Sequence, residues 1–194
     1  MRSVPGTTRI QAMQIDAEGV TLHGDLGLPF DAPGIVVFAH GSGSSRLSPR
    51  NRFVATALQE AGFGTLLVDL LTGAEEADRA NVFDVALLAD RLGGIARWLL
   101  TQPEGAGRTL GYFGASTGAA AALIAGGRGD PPVAAVVSRG GRPDLAGRWL
   151  DRVTAPTLLI VGGRDPAVLD LNRLAYEKLS APKRLEVVPG ATHL

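Results

Sequence analysis

The chain has 194 residues, 45% hydrophobic and 20% charged, with a formal net charge of zero. That balance describes one ordinary globular domain and leaves no electrostatic case for nucleic acid or an anionic membrane surface. Without cysteine, disulfides, thiolate nucleophiles and cysteine-held metals are excluded.

Met1-Arg-Ser-Val-Pro-Gly6 carries no secretory apolar segment, and no run approaches the length of a membrane span. The expectation is a cytoplasmic protein. Arg9 to Ile15 and Val20 to Leu28 read as an antiparallel hairpin at a sheet edge, turned at Asp16-Ala-Glu-Gly19 and ended by Pro29. Gly34-Ile-Val-Val-Phe-Ala39 is a short apolar run bounded by turn residues, as a strand buried on both faces requires. His40-Gly-Ser-Gly-Ser-Ser45 is too rich in glycine and serine for regular structure. Ser48 then caps a helix that opens on Pro49 and stops at Gly62.

Gly64 to Asp69 predicts a second buried strand. Leu70 to Asn81, with its acidic middle, reads as a solvated loop. Phe83 to Thr101 repeats apolar residues at helical spacing, weakened at Gly93-Gly94. Further strands are expected at Thr109–Phe113, Val133–Val137, Thr157–Val161 and Leu185–Val188, with a helix from about Ala167 to Leu179. Buried strands alternating with helices mean an α/β fold, a mostly parallel sheet covered on both faces. No linker or repeat divides the chain, so residues 1–194 are read as a single domain.

One stretch organises the rest. Gly114-Ala-Ser-Thr-Gly118 lies between the Thr109–Phe113 strand and the alanine run that follows, the G-x-S-x-G pattern of a nucleophile elbow. A serine on such a turn has strained backbone angles, and its neighbours two residues away must lack bulk. The turn lifts the hydroxyl above the sheet edge, at the positive end of the following helix. The alternative is a structural serine in a region where glycine and alanine are abundant.

In open parallel sheets, sites gather beyond the carboxyl ends of the strands. Ser116, Asp165 and His193 each follow a strand, and their order along the chain is Ser, Asp, His. Ser116 Oγ is a weak nucleophile until a base takes its proton, His193 is the candidate base, and Asp165 would orient the imidazole. Activity should then fall in acid as the histidine protonates. Backbone amides of Thr117 and Ser42 are the expected oxyanion donors. Asp144 and Asp69 are rival acids, and Asp165 also stands where it would cap the next helix. His40 is read as shaping its loop and His23 as a surface residue. Arg46 and Arg50 flank the site and would either hold an anionic substrate or pack around the helix start.

Assembled, these segments resemble the α/β-hydrolase family, in particular its compact dienelactone hydrolase-like branch. The resemblance rests on Val37 to Ser45, Ser48-Pro-Arg-Asn51, Gly114 to Gly118, Gly163-Arg-Asp165 and Gly190-Ala-Thr-His193. It implies ester hydrolysis through an acyl-enzyme, with neither cofactor nor metal. The chain departs from that branch in carrying serine where dienelactone hydrolases carry cysteine, which favours a general carboxylesterase. It also lacks the helix that normally follows the histidine. The expectation is therefore that the native protein continues beyond Leu194, and that part of one sheet face is left uncovered.

Between Val137 and Thr157, where larger hydrolases carry a lid, there is room only for a short helix containing Trp149, a further candidate for substrate contact. An open site for small esters follows, in a serine hydrolase acting as monomer or homodimer. Cleavage of a peptide, thioester or lactone, or a non-catalytic binding role on the same fold, are the alternatives.

Overall fold

Eight strands form one sheet in the computed structural model, which describes residues 8–193. The readings of Met1–Gly6 and of Leu194 lie outside those residues. The first two strands, β1 (Ile10–Ala17) and β2 (Val20–Gly27), pair so that Ala17 faces Val20. Glu18 and Gly19 are left as a two-residue turn, both at positive φ, the twist that matches paired strands. Then follow β3 (Gly34–Ala39), β4 (Gly64–Val68), β5 (Thr109–Ala115), β6 (Ala135–Arg139), β7 (Thr157–Gly162) and β8 (Lys183–Val188). Their spatial order is β1-β2-β4-β3-β5-β6-β7-β8, antiparallel as far as the β2–β4 pair and parallel thereafter.

The apolar runs explain this arrangement. All five residues of β4 are buried, as expected of an interior strand covered on both sides. Helices α4 (Val85–Thr101), α5 (Thr117–Arg128) and α6 (Pro166–Lys178) share one large core with the sheet. Within it Ala119 to Ala125 of α5 is buried throughout, so this helix is apolar all round. On the other face, among the described residues, only α1 (Pro49–Glu60) is packed, over Phe38, Leu67 and Phe113. Ser48 Oγ caps it by accepting the Asn51 amide at 3.3 Å, and Pro49 fills its first position. Over β6 and β7 that face has no helix among the described residues, and Val137, Leu158 and Ile160 stand half buried there.

The segment after β4 departs from the sequence reading. It is largely exposed, as read, but in place of a loop it forms two short helices, α2 (Gly73–Glu76) and α3 (Arg79–Phe83), and α4 starts at Val85 behind an Asp84 cap. The reason lies in Arg91 of α4, whose side chain is only 6% exposed. A buried cation needs an anion, and Glu75 supplies it at 2.5 Å while Arg91 also donates to the carbonyls of Ala17 and Glu18. Between β6 and β7 there is a short 3₁₀ segment, Pro143–Arg152, broken at Gly147, and no large lid. No helix of the described residues is long and apolar enough to cross a membrane.

Candidate active site

Ser116 stands where β5 becomes α5, at φ 52° and ψ −121°. A non-glycine residue in that region is strained and persists only where its surroundings over-determine it. They do so here from three sides. The Ser116 amide donates to the Arg139 carbonyl at 3.2 Å, and its own carbonyl accepts the Ala119 and Arg142 amides at 3.1 Å. A Cβ on Gly114 would lie 2.4 Å from Ala119 Cα, and one on Gly118 would lie 2.3 Å from the Ala39 carbonyl oxygen. Both glycines are therefore demanded by close approach. Across the turn, a Cβ on Gly41 would come within 2.9 Å of Ser116 Cβ, so the β3–α1 loop passes directly beside the serine.

Asp165 and His193 are brought together beyond the carboxyl ends of β7 and β8. His193 Nδ1 lies 2.8 Å from Asp165 Oδ2. An ionised carboxylate only accepts, so Nδ1 carries the proton and Nε2 is left with a free lone pair. The other carboxylate oxygen, Oδ1, accepts the Val168 amide at 3.4 Å and caps α6, so Asp165 serves both purposes. The turn carrying the histidine is laced to the β7 turn through Gly163 N to Val188 O at 2.9 Å and Arg164 N to Ala191 O at 2.8 Å. The rival acids are engaged elsewhere. Asp144 holds Arg142 through two bonds of 2.8 and 2.9 Å, and Asp69 accepts the Arg46 amide at 2.7 Å and its guanidinium.

His40 is 6% exposed, with Nδ1 donating to the Gly41 carbonyl at 3.0 Å and Nε2 accepting the Leu70 amide at 3.1 Å. Both ring nitrogens are spent on holding the loop. His23 is exposed on β2.

Three expectations change. Arg46 is not free for a substrate anion, because its guanidinium is claimed by Asp69 and lies 3.6 Å from Asp25. Trp149 packs its backbone carbonyl against Gly127, ten residues along α5 from Thr117 and so about 15 Å from the elbow. There its ring is flanked by Arg128, Arg148 and Arg152 at 5.2–5.5 Å, far from the site. The Ser42 amide, expected to face an oxyanion, donates to Thr117 Oγ1 at 2.9 Å instead. The Thr117 amide opens α5, where no intrahelical acceptor exists, and stays available. Arg50 is exposed and has no ion pair among the described residues.

Sequence reasoning missed two features. Arg139, at the end of β6 beside Ser116, stacks over Phe113 and donates to the buried Asn51 Oδ1 at 2.9 Å. Burial, and secondly the Arg50 charge, hold its guanidinium below the usual value. A polar residue on the inward side of α1 was the available signal. The second is a cavity of about 480 Å³ beginning at Gly41 and Ser42, with Leu71, Val82 and Leu88 among its walls and Glu76 at its rim. Its outer wall is the segment read as a solvated loop. Among the described residues no three His, Cys, Asp or Glu side chains gather as a metal site requires.

The comparisons place the chain in a family and a fold. A Mycobacterium tuberculosis protein named as a phosphoribosyl transferase is 59% identical over 186 residues, which is 96% of this chain and 42% of that relative. The chain thus spans less than half the length of the curated relatives it matches. A dienelactone hydrolase from Anabaena variabilis superposes with a TM-score of 0.92 at 52% identity, covering 96% of this chain and 88% of its own. Est1E from Butyrivibrio proteoclasticus shares the fold at a TM-score of 0.78 and 16% identity, with 94% and 90% covered. The family model for dienelactone hydrolases matches residues 22–194, and the chain belongs to the dienelactone hydrolase family, on an α/β-hydrolase fold.

Proposed function

We propose that this chain is a serine hydrolase that cleaves small carboxylic esters through an acyl-enzyme. The observation that carries the reading is the His193–Asp165 pair at 2.8 Å, on the sheet edge from which the strained Ser116 projects. Ser116 Oγ attacks the ester carbonyl while His193 Nε2 takes its proton. Asp165 holds the tautomer and stabilises the imidazolium that forms. The carbonyl electrons move to oxygen, where the Thr117 amide at the start of α5 meets the developing charge. The tetrahedral species collapses, the imidazolium protonates the departing alcohol, and water repeats the sequence to release the acid.

The cavity that begins at Gly41 offers room for the substrate beside the elbow. At about 480 Å³, with apolar walls and a serine-rich mouth, it is large enough for a small ester, and Ser116 and His193 are not among the residues that line it. The transferase name of the Mycobacterium tuberculosis relative belongs to a protein of more than twice this length, and phosphoribosyl transfer is not proposed for this segment.

The test is a fluorophosphonate probe together with p-nitrophenyl esters of two, four and twelve carbons. Labelling confined to Ser116 and preference for the two shorter esters are expected. No labelling and no turnover would leave a non-catalytic hydrolase fold; a preference for the twelve-carbon ester would remove the small-substrate reading.

A further inference from the structure

The Ser42 amide carries one proton, and that proton already points at Thr117 Oγ1, 2.9 Å away. Thr117 is 6% exposed and follows Ser116 directly. A hydroxyl has one O–H and two lone pairs. Ser42 takes a lone pair, and among the described residues no acceptor receives the O–H. A buried hydroxyl with an undirected proton, one residue from the candidate nucleophile, is costly unless something arrives to accept it.

We propose that this proton is the second oxyanion donor. Resting on the ester-hydrolase reading above, Thr117 then supplies two donors to one oxygen, its own amide and its own hydroxyl, and Ser42 acts behind it as a positioning residue. The order matters physically. A hydroxyl that accepts an N–H bond is a stronger donor through its own proton, because hydrogen bonds in a chain polarise one another. The Ser42 bond also limits the rotation of the threonine side chain, so the donor is aimed before substrate binds. Gly41, whose lack of a side chain lets the loop pass directly against Ser116, holds Ser42 close to the nucleophile's turn.

In the addition step the Ser116 Oγ–carbon bond forms, the carbonyl π pair becomes the oxyanion, and the serine proton passes to His193. Thr117 lends hydrogen bonds and transfers no proton. When the tetrahedral species collapses the carbonyl reforms, and Thr117 returns to its bond with Ser42 alone.

The rival arrangement has the Ser42 amide swing from Thr117 to the oxyanion, and the two make opposite forecasts for one variant. Thr117→Val keeps the shape, removes the hydroxyl and frees the Ser42 amide. If the hydroxyl is the donor, kcat on p-nitrophenyl butyrate falls by about 10²–10³ while KM changes little. The shape of the pH–rate profile stays the same, and Thr117→Ser recovers turnover to within about tenfold of the parent. If Thr117→Val keeps kcat within about threefold of the parent, Ser42 is the direct donor and the proposal is overturned. Thr117→Ala decides the matter should the valine variant fold poorly, and it carries the same expectation. A parent protein that is neither labelled by fluorophosphonate nor active on esters defeats the hydrolase reading itself, and this proposal with it. That result is distinct from an active parent with an active valine variant.

Discussion

Two histidines follow strands at the same edge of the sheet, and the structure treats them in opposite ways. His40, after β3, is buried, with both ring nitrogens engaged by main-chain groups. Its loop is further tied by the Arg46 amide and guanidinium on Asp69, and by Ser42 on Thr117. His193, after β8, has a side chain 50% exposed and, among the described residues, a single side-chain partner, Asp165. Among the described residues, the hydrogen bonds holding the rest of its segment are main-chain bonds between neighbouring turns. Under the proposed mechanism the contrast separates two duties. A loop that stabilises charge must be still before the substrate arrives, since reorganising it later adds to the barrier. A base must keep one nitrogen free and reachable.

The comparison breaks most visibly at Ser116, on which the proposed mechanism has both regions act. Ser116→Ala should lose ester turnover by about 10⁴–10⁶ with the melting temperature nearly unchanged, because the hydroxyl carries little folding energy. Near-parental turnover would show that neither histidine belongs to a catalytic site. Next comes the single partner of His193. Asp165→Asn should cost about 10⁴ in kcat by leaving the wrong tautomer in place. Asp144→Asn serves as the control, and a larger loss there would identify it as the acid.

Smaller effects belong to the locked side. Arg46→Met leaves Asp69 without its cation, while Asp25 keeps Arg52 at 3.2 Å. We expect a loss of roughly 1–3 kcal/mol in denaturant unfolding, and a fall in kcat through a loosened loop. Unchanged unfolding and unchanged kcat would mean the loop is held without this clamp.

The smallest effect is a pH dependence of stability at the cavity wall. Burial alone would raise the Glu75 carboxyl, but bonds from the Thr72 backbone, Arg91 and the Thr72 hydroxyl outweigh it and hold it below its ordinary value of 4.5. A carboxylate depressed in the folded state adds stability above its unfolded value and loses it as pH falls through the folded one. Wild type should therefore melt higher than Glu75→Gln near neutrality, and the gap should close in acid below about pH 4. A gap independent of pH would assign the effect to packing.

Much of this molecule is legible because the signals are local. A serine framed by Gly114 and Gly118, between a strand and an alanine-rich helix, can hardly form anything but a sharp turn, since larger residues would strike Ala119 and Ala39. The Ser48-Pro49 helix start, the buried runs of β3 and β4, and the order Ser116, Asp165, His193 are likewise written in short stretches. What tertiary structure alone decided is which polar group finds which partner. Arg46 meets an acid 23 residues away, the Ser42 amide meets a hydroxyl 75 residues away, and Glu75 is drawn from solvent by Arg91 of a later helix. Trp149 is carried to the far end of α5 by the path of the chain after β6. Local backbone shape is set by sterics within a few residues of each position. Side-chain pairing depends on distances that exist only once the sheet is assembled.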